Sequence, residues 1–264
     1  MAGLHNGVFW LEVKDKLADG HALVRNLPEM GKQDITPIEA KLEPDLIYPA
    51  IRGSDIARWH ATPEIHMLVV QDPKTRSGYP EDHLKNQYPN TYNYLTKFKP
   101  VLLERALYKK YHEHVGNPFY SQFNISEETF ARYRVVWKAM SNDIHGAVIS
   151  QYKTILGYKT GVPLHTTEFI ACENEDEAHY LCAIINSEIV RELIKSYSSA
   201  GRGFGTPSVM KHVGIPKFDP KNSLHAKLAK LSKDLHALVA ERGHDSDIST
   251  KEGEVDACVK ELFA

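Results

Sequence analysis

Prolines limit the length of secondary-structure elements in the first half of this 264-residue chain. A proline fixes φ and lacks an amide donor, so it interrupts helices and is excluded from the interior of central strands. The runs 8–13, 22–27, 35–40 and 65–70 mix aromatic and β-branched residues, which predicts short strands. The prolines that separate such runs are Pro28, Pro37, Pro44, Pro49, Pro63, Pro73 and Pro80.

Apolar residues at helical spacing dominate the rest of the chain and predict helices over 90–114, 176–197, 224–239 and 254–263. Further strands are predicted over 134–140, 147–150 and 166–172. We therefore expect an α+β fold, with a bent mixed sheet that is partly barrel-like and helices packed around it. Residues 223–264 are expected to form a separate C-terminal helical stalk, because the leucines of 224–239 approximate a coiled-coil seam suited to docking or dimerisation.

The composition is that of an ordinary soluble globular protein, with 42% hydrophobic and 25% charged residues. No apolar run approaches the ~20 residues needed to cross a bilayer, and the first residues lack the pattern of a signal peptide. Three cysteines without a short paired spacing favour reduced thiols. We therefore expect a cytoplasmic protein.

Charge is segregated along the chain, although the formal net charge is only −2. Residues 95–160 carry ten Lys/Arg against five Asp/Glu, and residues 191–233 carry nine against two. The acidic residues are concentrated in 161–190 and 234–264. This distribution suits one basic face for a polyanion such as nucleic acid. Solvated helix faces without a partner remain an alternative.

The segment 48–59 is the strongest candidate for such a contact, because it holds two arginines, a glycine and a short polar pair. Arg52 and Arg58 can each make bidentate contacts with phosphate or a guanine edge. Ser54 and Asp55 can contact base edges. Alternatively, the segment is a structural turn in which Asp55 is a cap and Trp59 packs beneath it.

Two further groups combine basic and aromatic residues. Arg202, Phe204 and Lys211 lie in or beside a glycine-rich stretch that follows a predicted helix, and this position excludes a phosphate-binding loop between a strand and a helix. We expect a flexible loop that brings these three side chains to a polyanion, and a plain connecting loop is the alternative. Arg132 and Lys138 follow the aromatic run 118–123, in which the phenylalanines are more often core than base-stacking residues.

Catalytic patterns are weak. Glu39 and Lys41 form half of a nuclease motif, as do Glu12 and Lys14, but neither pair has a convincing partner aspartate. His179, Cys182 and Cys172 make at most three uncertain metal ligands, so a surface histidine and a buried thiol are favoured. We expect no catalytic residue and no metal. A Mg²⁺-dependent nuclease and a protein-interaction scaffold remain alternatives.

Five segments, taken in order, resemble one known family. The segments 46–59, 118–121, 135–137, 177–187 and 215–220 are similar to the C-terminal target-recognition region of adenine-specific DNA methyltransferases of restriction–modification systems. The fused methylase–specificity chains of type IIG and type I-like systems are the most similar. The resemblance covers about residues 8–240, so we expect a target-recognition domain over residues 1–222.

This resemblance implies sequence-specific binding of double-stranded DNA. In that family the catalytic core carries an Asn/Asp-Pro-Pro-Tyr/Phe tetrapeptide and a loop for S-adenosylmethionine, and this sequence contains neither. The chain is thus expected not to be an enzyme by itself and to hold no cofactor. S-adenosylmethionine would bind a methyltransferase catalytic domain or subunit, which would be the protein partner. A dimer through the C-terminal helices is possible, and no membrane partner is expected.

Overall fold

The computed structural model describes residues 6–31, 34–197, 205–243 and 247–264. These residues form fifteen strands: β1 (Trp10–Lys16), β2 (Ala22–Asn26), β3 (Glu39–Leu42), β4 (Ile47–Ile51), β5 (Ile56–Ala57), β6 (His60–Ala61), β7 (Ile65–Leu68), β8 (Gln71–Asp72), β9 (Ser77–Gly78), β10 (Tyr133–Lys138), β11 (Gly146–Ile149), β12 (Gln151–Thr154), β13 (Gly157–Thr160), β14 (Val162–Pro163) and β15 (Thr167–Cys172). They also form ten α-helices: α1 (Asn6–Phe9), α2 (Glu81–Gln87), α3 (Pro89–Lys97), α4 (Lys99–Leu103), α5 (Ala106–Tyr111), α6 (Glu175–Ile185), α7 (Glu188–Tyr197), α8 (Pro207–Met210), α9 (Ser223–Arg242) and α10 (Ser249–Leu262).

The chain divides into two compact units that are interleaved in sequence. The first unit comprises residues 1–50, 63–130 and 151–162, and the second comprises residues 51–62, 131–150 and 163–264. This division differs from the predicted boundary at residue 222, because α9 and α10 belong to the second unit together with the much earlier strands β5, β6, β10, β11 and β15.

The first unit is built on a sheet with the strand order β14-β4-β7-β1-β2-β3. The pairs β1–β2, β2–β3, β1–β7 and β4–β7 are antiparallel, and β7 lies in the interior of the sheet, as its apolar sequence predicted. Residues of α2 to α5, including Leu84, Tyr94 and Leu102, share a buried cluster with strand residues such as Leu11 and Leu68.

The helix predicted over 90–114 is broken into α3, α4 and α5. Pro89 lies in the first turn of α3 and Pro100 in the first turn of α4. Proline fits these positions because the amides of a first helical turn have no intrahelical partner, whereas inside a helix it would remove a hydrogen bond. The sequence periodicity located the apolar stripe correctly but not the breaks.

The second unit contains the antiparallel sheet β11-β10-β15, in which β10 is central. The helix predicted over 176–197 consists of α6 and α7. Asn174 is the N-cap of α6, and its side chain accepts a hydrogen bond from the amide of Glu177. Asn186 is the C-cap, and its side-chain amide bonds both the amide and the carbonyl of Gly146 on β11. The break therefore serves to attach α6 to the sheet.

The two C-terminal helices do not form the predicted stalk. Their apolar residues lie within the buried core of the second unit, together with α6 and β10. The leucine seam predicted for dimerisation is therefore buried inside the unit. The buried side chains of α9 and α10 include Leu228, Leu231, Leu235, Val239, Val255 and Val259.

The α+β class is confirmed, and none of the sheets formed by the described residues closes into a barrel. Within the same ranges, no helix combines the length and the apolar character that crossing a membrane requires.

Candidate nucleic-acid interface

One end of the three-stranded sheet brings several predicted contact residues together. Trp137 pairs with Gly146, and Lys138 pairs with Thr167. Because the strands are antiparallel, β10 ends where β11 and β15 begin. We call the residues at this end the sheet-end cluster: the turn 52–55, Trp137–Lys138, Thr166–Thr167 and Gly205.

The turn at residues 53–55 is fixed to the sheet by Thr166. The amide of Gly53 donates to Thr166 Oγ1 at 2.8 Å, and the carbonyl of Thr166 accepts from the amide of Ala139 at 3.0 Å. A Cβ on Gly53 would lie 2.7 Å from that carbonyl oxygen, so close that one of the two backbone segments would have to shift. Glycine is thus required here by close approach of two backbones.

Arg52 and Asp55 hold each other in this turn. Asp55 Oδ2 accepts the amide of Arg52 at 2.8 Å, and Arg52 Nε lies 3.0 Å from Asp55 Oδ1. The Asp55 side chain is 1% exposed and that of Arg52 is 14% exposed, whereas Ser54 is exposed. Trp59 is fully buried, so the local structure is the capped turn of the alternative interpretation. Asp55 thereby fixes the orientation of Arg52, and Ser54 remains accessible.

The guanidinium of Arg58 bonds other residues of the second unit, to which Arg58 itself belongs. Its Nε lies 2.7 Å from Glu252 Oε1 on α10, and its Nη2 donates to the carbonyl of Asn186 at 2.7 Å. Glu252 Oε1 also accepts the indole N–H of Trp59 at 2.6 Å. Arg58 therefore ties α10 to the end of α6, and a DNA contact by this guanidinium would require those bonds to break.

Trp137 joins the sheet end to the glycine-rich stretch. Its indole N–H donates to the carbonyl of Gly205 at 2.6 Å, and Gly205 has a φ of +71°. A Cβ on Gly205 would lie 3.0 Å from Trp137 Nε1, so both backbone conformation and space favour glycine. Arg202 and Phe204 lie outside the described residues. Lys211 is exposed at the C-terminal end of α8.

Lys138 is the free cation of the cluster. It is partly exposed and has no ion-pair partner in the part of the chain that the structure describes. The neighbouring acid Asp143 is paired with Arg191 Nε at 3.0 Å. Burial lowers the pKa of His145, although Asp143 opposes this shift. The ammonium of Lys138 is thus available to an anion.

Arg132 does not join this cluster. It is exposed at the start of β10, with its guanidinium 5.4 Å from the ring of Tyr133. Lys138 lies six positions further along the extended chain, a distance of about 20 Å. In the first unit, Phe119 is 3% exposed, which confirms the core interpretation of that residue.

Two residues of this region were missed by the sequence analysis. Thr166 was read only as the start of a strand, and its contacts with Gly53 are not encoded in any local pattern. Met140, in the connection between β10 and β11, is 79% exposed. Methionine is usually a core residue, so its type gave no signal of exposure.

The nuclease alternative depends on two Glu/Lys pairs, and one residue from each pair meets the other in the structure. The ammonium of Lys14 contacts the carboxylate of Glu39, and both side chains lie on the exposed surface of the first unit's sheet. Within the described ranges, no group of three or more His, Cys, Asp or Glu residues is arranged to hold a metal ion.

The prediction that His179 is a surface residue is wrong. His179 is 7% exposed on α6, and its Nδ1 lies 3.0 Å from Ser232 Oγ. Burial, followed by His236 and Lys233, lowers its pKa to about 3. Burial also raises the pKa of Cys172 to about 12 and that of Cys182 further, so these thiols stay protonated and unreactive. In α6, residue 179 lies among the buried side chains of the helix. The polar character of histidine led the sequence analysis to expect a surface position.

Comparison with known proteins finds one distant similarity to a methyltransferase. It is similar to the type II methyltransferase M.NspV of Nostoc sp. (strain ATCC 29411 / PCC 7524), with 24% identity over 157 residues. The matched stretch is 59% of this chain but 30% of the relative, so the chain spans less than a third of the methyltransferase that it matches. No protein-family model matches the chain.

Proposed function

We propose that this chain is the sequence-recognition part of an adenine-specific DNA methyltransferase of a restriction–modification system, and that it binds double-stranded DNA. The distant similarity to a type II methyltransferase carries the proposal. It is supported by the five ordered segments that resemble target-recognition regions. The lack of an Asn/Asp-Pro-Pro-Tyr/Phe tetrapeptide in the sequence argues for recognition over catalysis.

The sheet-end cluster supplies chemistry suited to this role. Phosphate contacts fix the register of a protein on the duplex, and base-edge contacts read the sequence. Lys138 supplies a cation that suits a phosphate, since its charge has no ion-pair partner among the described residues. The buried carboxylate of Asp55 bonds Arg52 Nε and Nη2 and orients this guanidinium, so a bidentate contact with a guanine edge would have to exchange some of those bonds. Ser54 adds an exposed hydroxyl beside it.

Catalysis is assigned to another domain or subunit. That partner would bind S-adenosylmethionine and the target adenine, while this chain selects the site and transfers no methyl group itself. The expected partners are therefore duplex DNA and a methyltransferase catalytic part.

The first test is binding of the purified chain to fluorescent duplex DNA, followed by anisotropy. With six or more phosphate contacts, affinity should fall by about 10³-fold or more between ~50 and ~200 mM salt. Sequencing of duplexes retained from a random pool should reveal a preferred site. Binding that is insensitive to salt, or no binding at low salt, would contradict the proposal.

A matched pair of variants tests the site. Lys138→Ala should lower the slope of log affinity against log salt by about 1, as expected for one lost phosphate contact. Lys230→Ala removes the same charge from an exposed position on α9 and should leave the slope unchanged. Equal effects of the two variants would remove Lys138 from the interface.

The catalytic assignment has its own test. The chain alone, incubated with radiolabelled S-adenosylmethionine and a duplex pool, should transfer no label to DNA. Transfer by the isolated chain would contradict the division of labour proposed here. Mg²⁺-dependent cleavage of the duplex would instead favour a nuclease, and Glu39→Ala would then test the pair with Lys14.

A further inference from the structure

The hairpin formed by β12 and β13 is a prominent exposed feature that the sequence analysis left unassigned. Gln151 pairs with Thr160, Lys153 with Tyr158, and Thr154 with Gly157, so the two strands are joined by the two-residue turn 155–156. Gly157 has a φ of +102°, a conformation that glycine adopts readily. Thr154 Oγ1 donates to the carbonyl of Gly157 at 2.9 Å and closes the turn.

One face of this hairpin anchors it to the first unit. Lys159 donates to the carbonyl of Pro44 at 2.7 Å, and its ammonium lies 5.4 Å from the centre of the Tyr48 ring. Burial lowers the pKa of Lys159. At the turn, Leu156 is 8% exposed and belongs to the core cluster of that unit. The hairpin is therefore fixed at its tip as well as along one strand.

The opposite face is exposed. Because side chains alternate along a strand and paired residues share a face, Gln151, Lys153, Tyr158 and Thr160 lie on the side away from Lys159. Gln151 and Lys153 are exposed, and Tyr158 is 71% exposed. Ile155 at the turn is 54% exposed. Apart from Ile155, this face presents hydrogen-bonding groups: an amide, an ammonium, a phenol and a hydroxyl.

We infer that the exposed face of this hairpin is a second DNA contact, which enters the major groove of the duplex; the inference rests on the proposed function. The major groove is about 12 Å wide and admits a two-stranded ribbon, whose strands lie about 4.8 Å apart. Strand pairs are one of the elements that proteins use to read bases there.

Charge and chemistry favour DNA over a protein partner for this face. The ten residues 151–160 contain two lysines and no acidic residue. Lys153 has no ion-pair partner within the described ranges, so its ammonium is available to a phosphate. A glutamine amide can pair bidentately with adenine, and an exposed aromatic ring can pack on bases or sugars. Lysine is depleted in protein–protein interfaces, so the exposed Lys153 on this face fits a nucleic acid better than a protein.

The first test measures duplex binding by Lys153→Ala, with Lys230→Ala as the matched control. Lys153→Ala should lower the salt slope by about 1 and weaken binding to all sequences alike. Gln151→Ala should relax the preferred sequence at one position by about 5- to 150-fold. The side chains at these positions are exposed, so the unfolding curves of all variants should superimpose on that of the wild type.

The second test asks what lies against the hairpin. Tyr158 is replaced by a photo-crosslinking benzoylphenylalanine, and the chain is irradiated with a labelled duplex from the selected pool. A covalent protein–DNA adduct at this position is expected, and the same replacement at Tyr111, which is 49% exposed on α5, serves as the control.

The outcomes separate this inference from the proposed function. A wild-type chain that binds no duplex overturns both. If the chain binds duplex and Lys138→Ala weakens it, but Lys153→Ala behaves like Lys230→Ala and residue 158 gives no adduct, the hairpin contact alone is refuted. If the hairpin variants weaken binding and Lys138→Ala does not, the sheet-end assignment fails and the hairpin contact stands.

Discussion

Replacing His179 with glutamine should change how the stability of the second unit depends on pH. The imidazole is buried, its Nδ1 lies 3.0 Å from Ser232 Oγ, and its ring centre lies 4.7 Å from that of His236. Burial, with smaller contributions from His236 and Lys233, lowers its pKa from 6.5 to about 3. His179→Gln keeps a polar side chain of similar size but removes the titrating group.

The sign follows from the direction of the shift. The unfolded chain takes up a proton at His179 below about pH 6.5, whereas the folded chain resists protonation until about pH 3. Acid therefore favours the unfolded state, and the stabilisation present near neutral pH is lost progressively as the pH falls between these values. From pH 7 to pH 5, this single group should lower the free energy of unfolding by about 2 kcal/mol.

The assay is denaturant unfolding at pH 7 and pH 5, followed by tryptophan fluorescence. A Trp10→Phe background leaves Trp59 and Trp137, which both lie in the second unit, as the reporters. The wild type should lose about 2 kcal/mol more than His179→Gln between the two pH values. Burial lowers the pKa of His236 to about 4, but this group is present in both proteins and cancels in the difference.

A control separates this effect from a general acid response. His212 is exposed, and His212→Gln serves as the matched substitution at a solvent-accessible histidine. If His179→Gln and the wild type lose equal free energy from pH 7 to pH 5, then His179 is not held neutral by the fold, and the reasoning from its burial is refuted.

Three further experiments test other parts of the structure. Gly53→Ala places a Cβ 2.7 Å from a backbone oxygen, so it should destabilise the second unit by about 1–3 kcal/mol and weaken DNA binding. Gly253→Ala meets open space within α10 and should be neutral or stabilise the unit by up to about 1 kcal/mol. Unfolding curves of the two variants give the comparison. Glu252→Gln removes the carboxylate that bonds both Arg58 and Trp59, so we expect the free energy of unfolding to fall by about 1–3 kcal/mol and the Trp59 fluorescence to shift. An unchanged unfolding curve would contradict the role given to this carboxylate. Burial raises the pKa of Cys182, so a thiol reagent at pH 8 should label it only after denaturation; rapid labelling of the folded chain would show that the site opens.

Strongly periodic elements were predictable from the sequence. The strands near 22–27 and 134–140 and the helix over 224–239 all form, because hydrophobic burial on one face dictates them. The breaks between α3, α4 and α5 and between α6 and α7 were missed. The second of these depends on the bonds of Asn186 with Gly146, which is forty residues away, so no local pattern could have predicted it.

The candidate site was predictable in its residue types but not in its geometry. The segment around Arg52 was found because its composition is unusual for a core. Its attachment to Thr166 is a contact between residues 113 positions apart, and it became visible only in the fold. The hairpin was overlooked because its alternation is short and its anchoring residues, Leu156 and Lys159, look unremarkable in isolation.

The interleaving of the two units decides how such a chain can be dissected or recombined. Each unit is assembled from three separate stretches of sequence, so no contiguous fragment consists of one unit alone. A truncation at residue 222 would remove the helices that complete the second core, and a hybrid gene joined at one point would mix parts of both cores. Exchange between relatives therefore favours the entire chain, or an insert such as residues 151–160, whose first and last residues are paired partners in neighbouring strands.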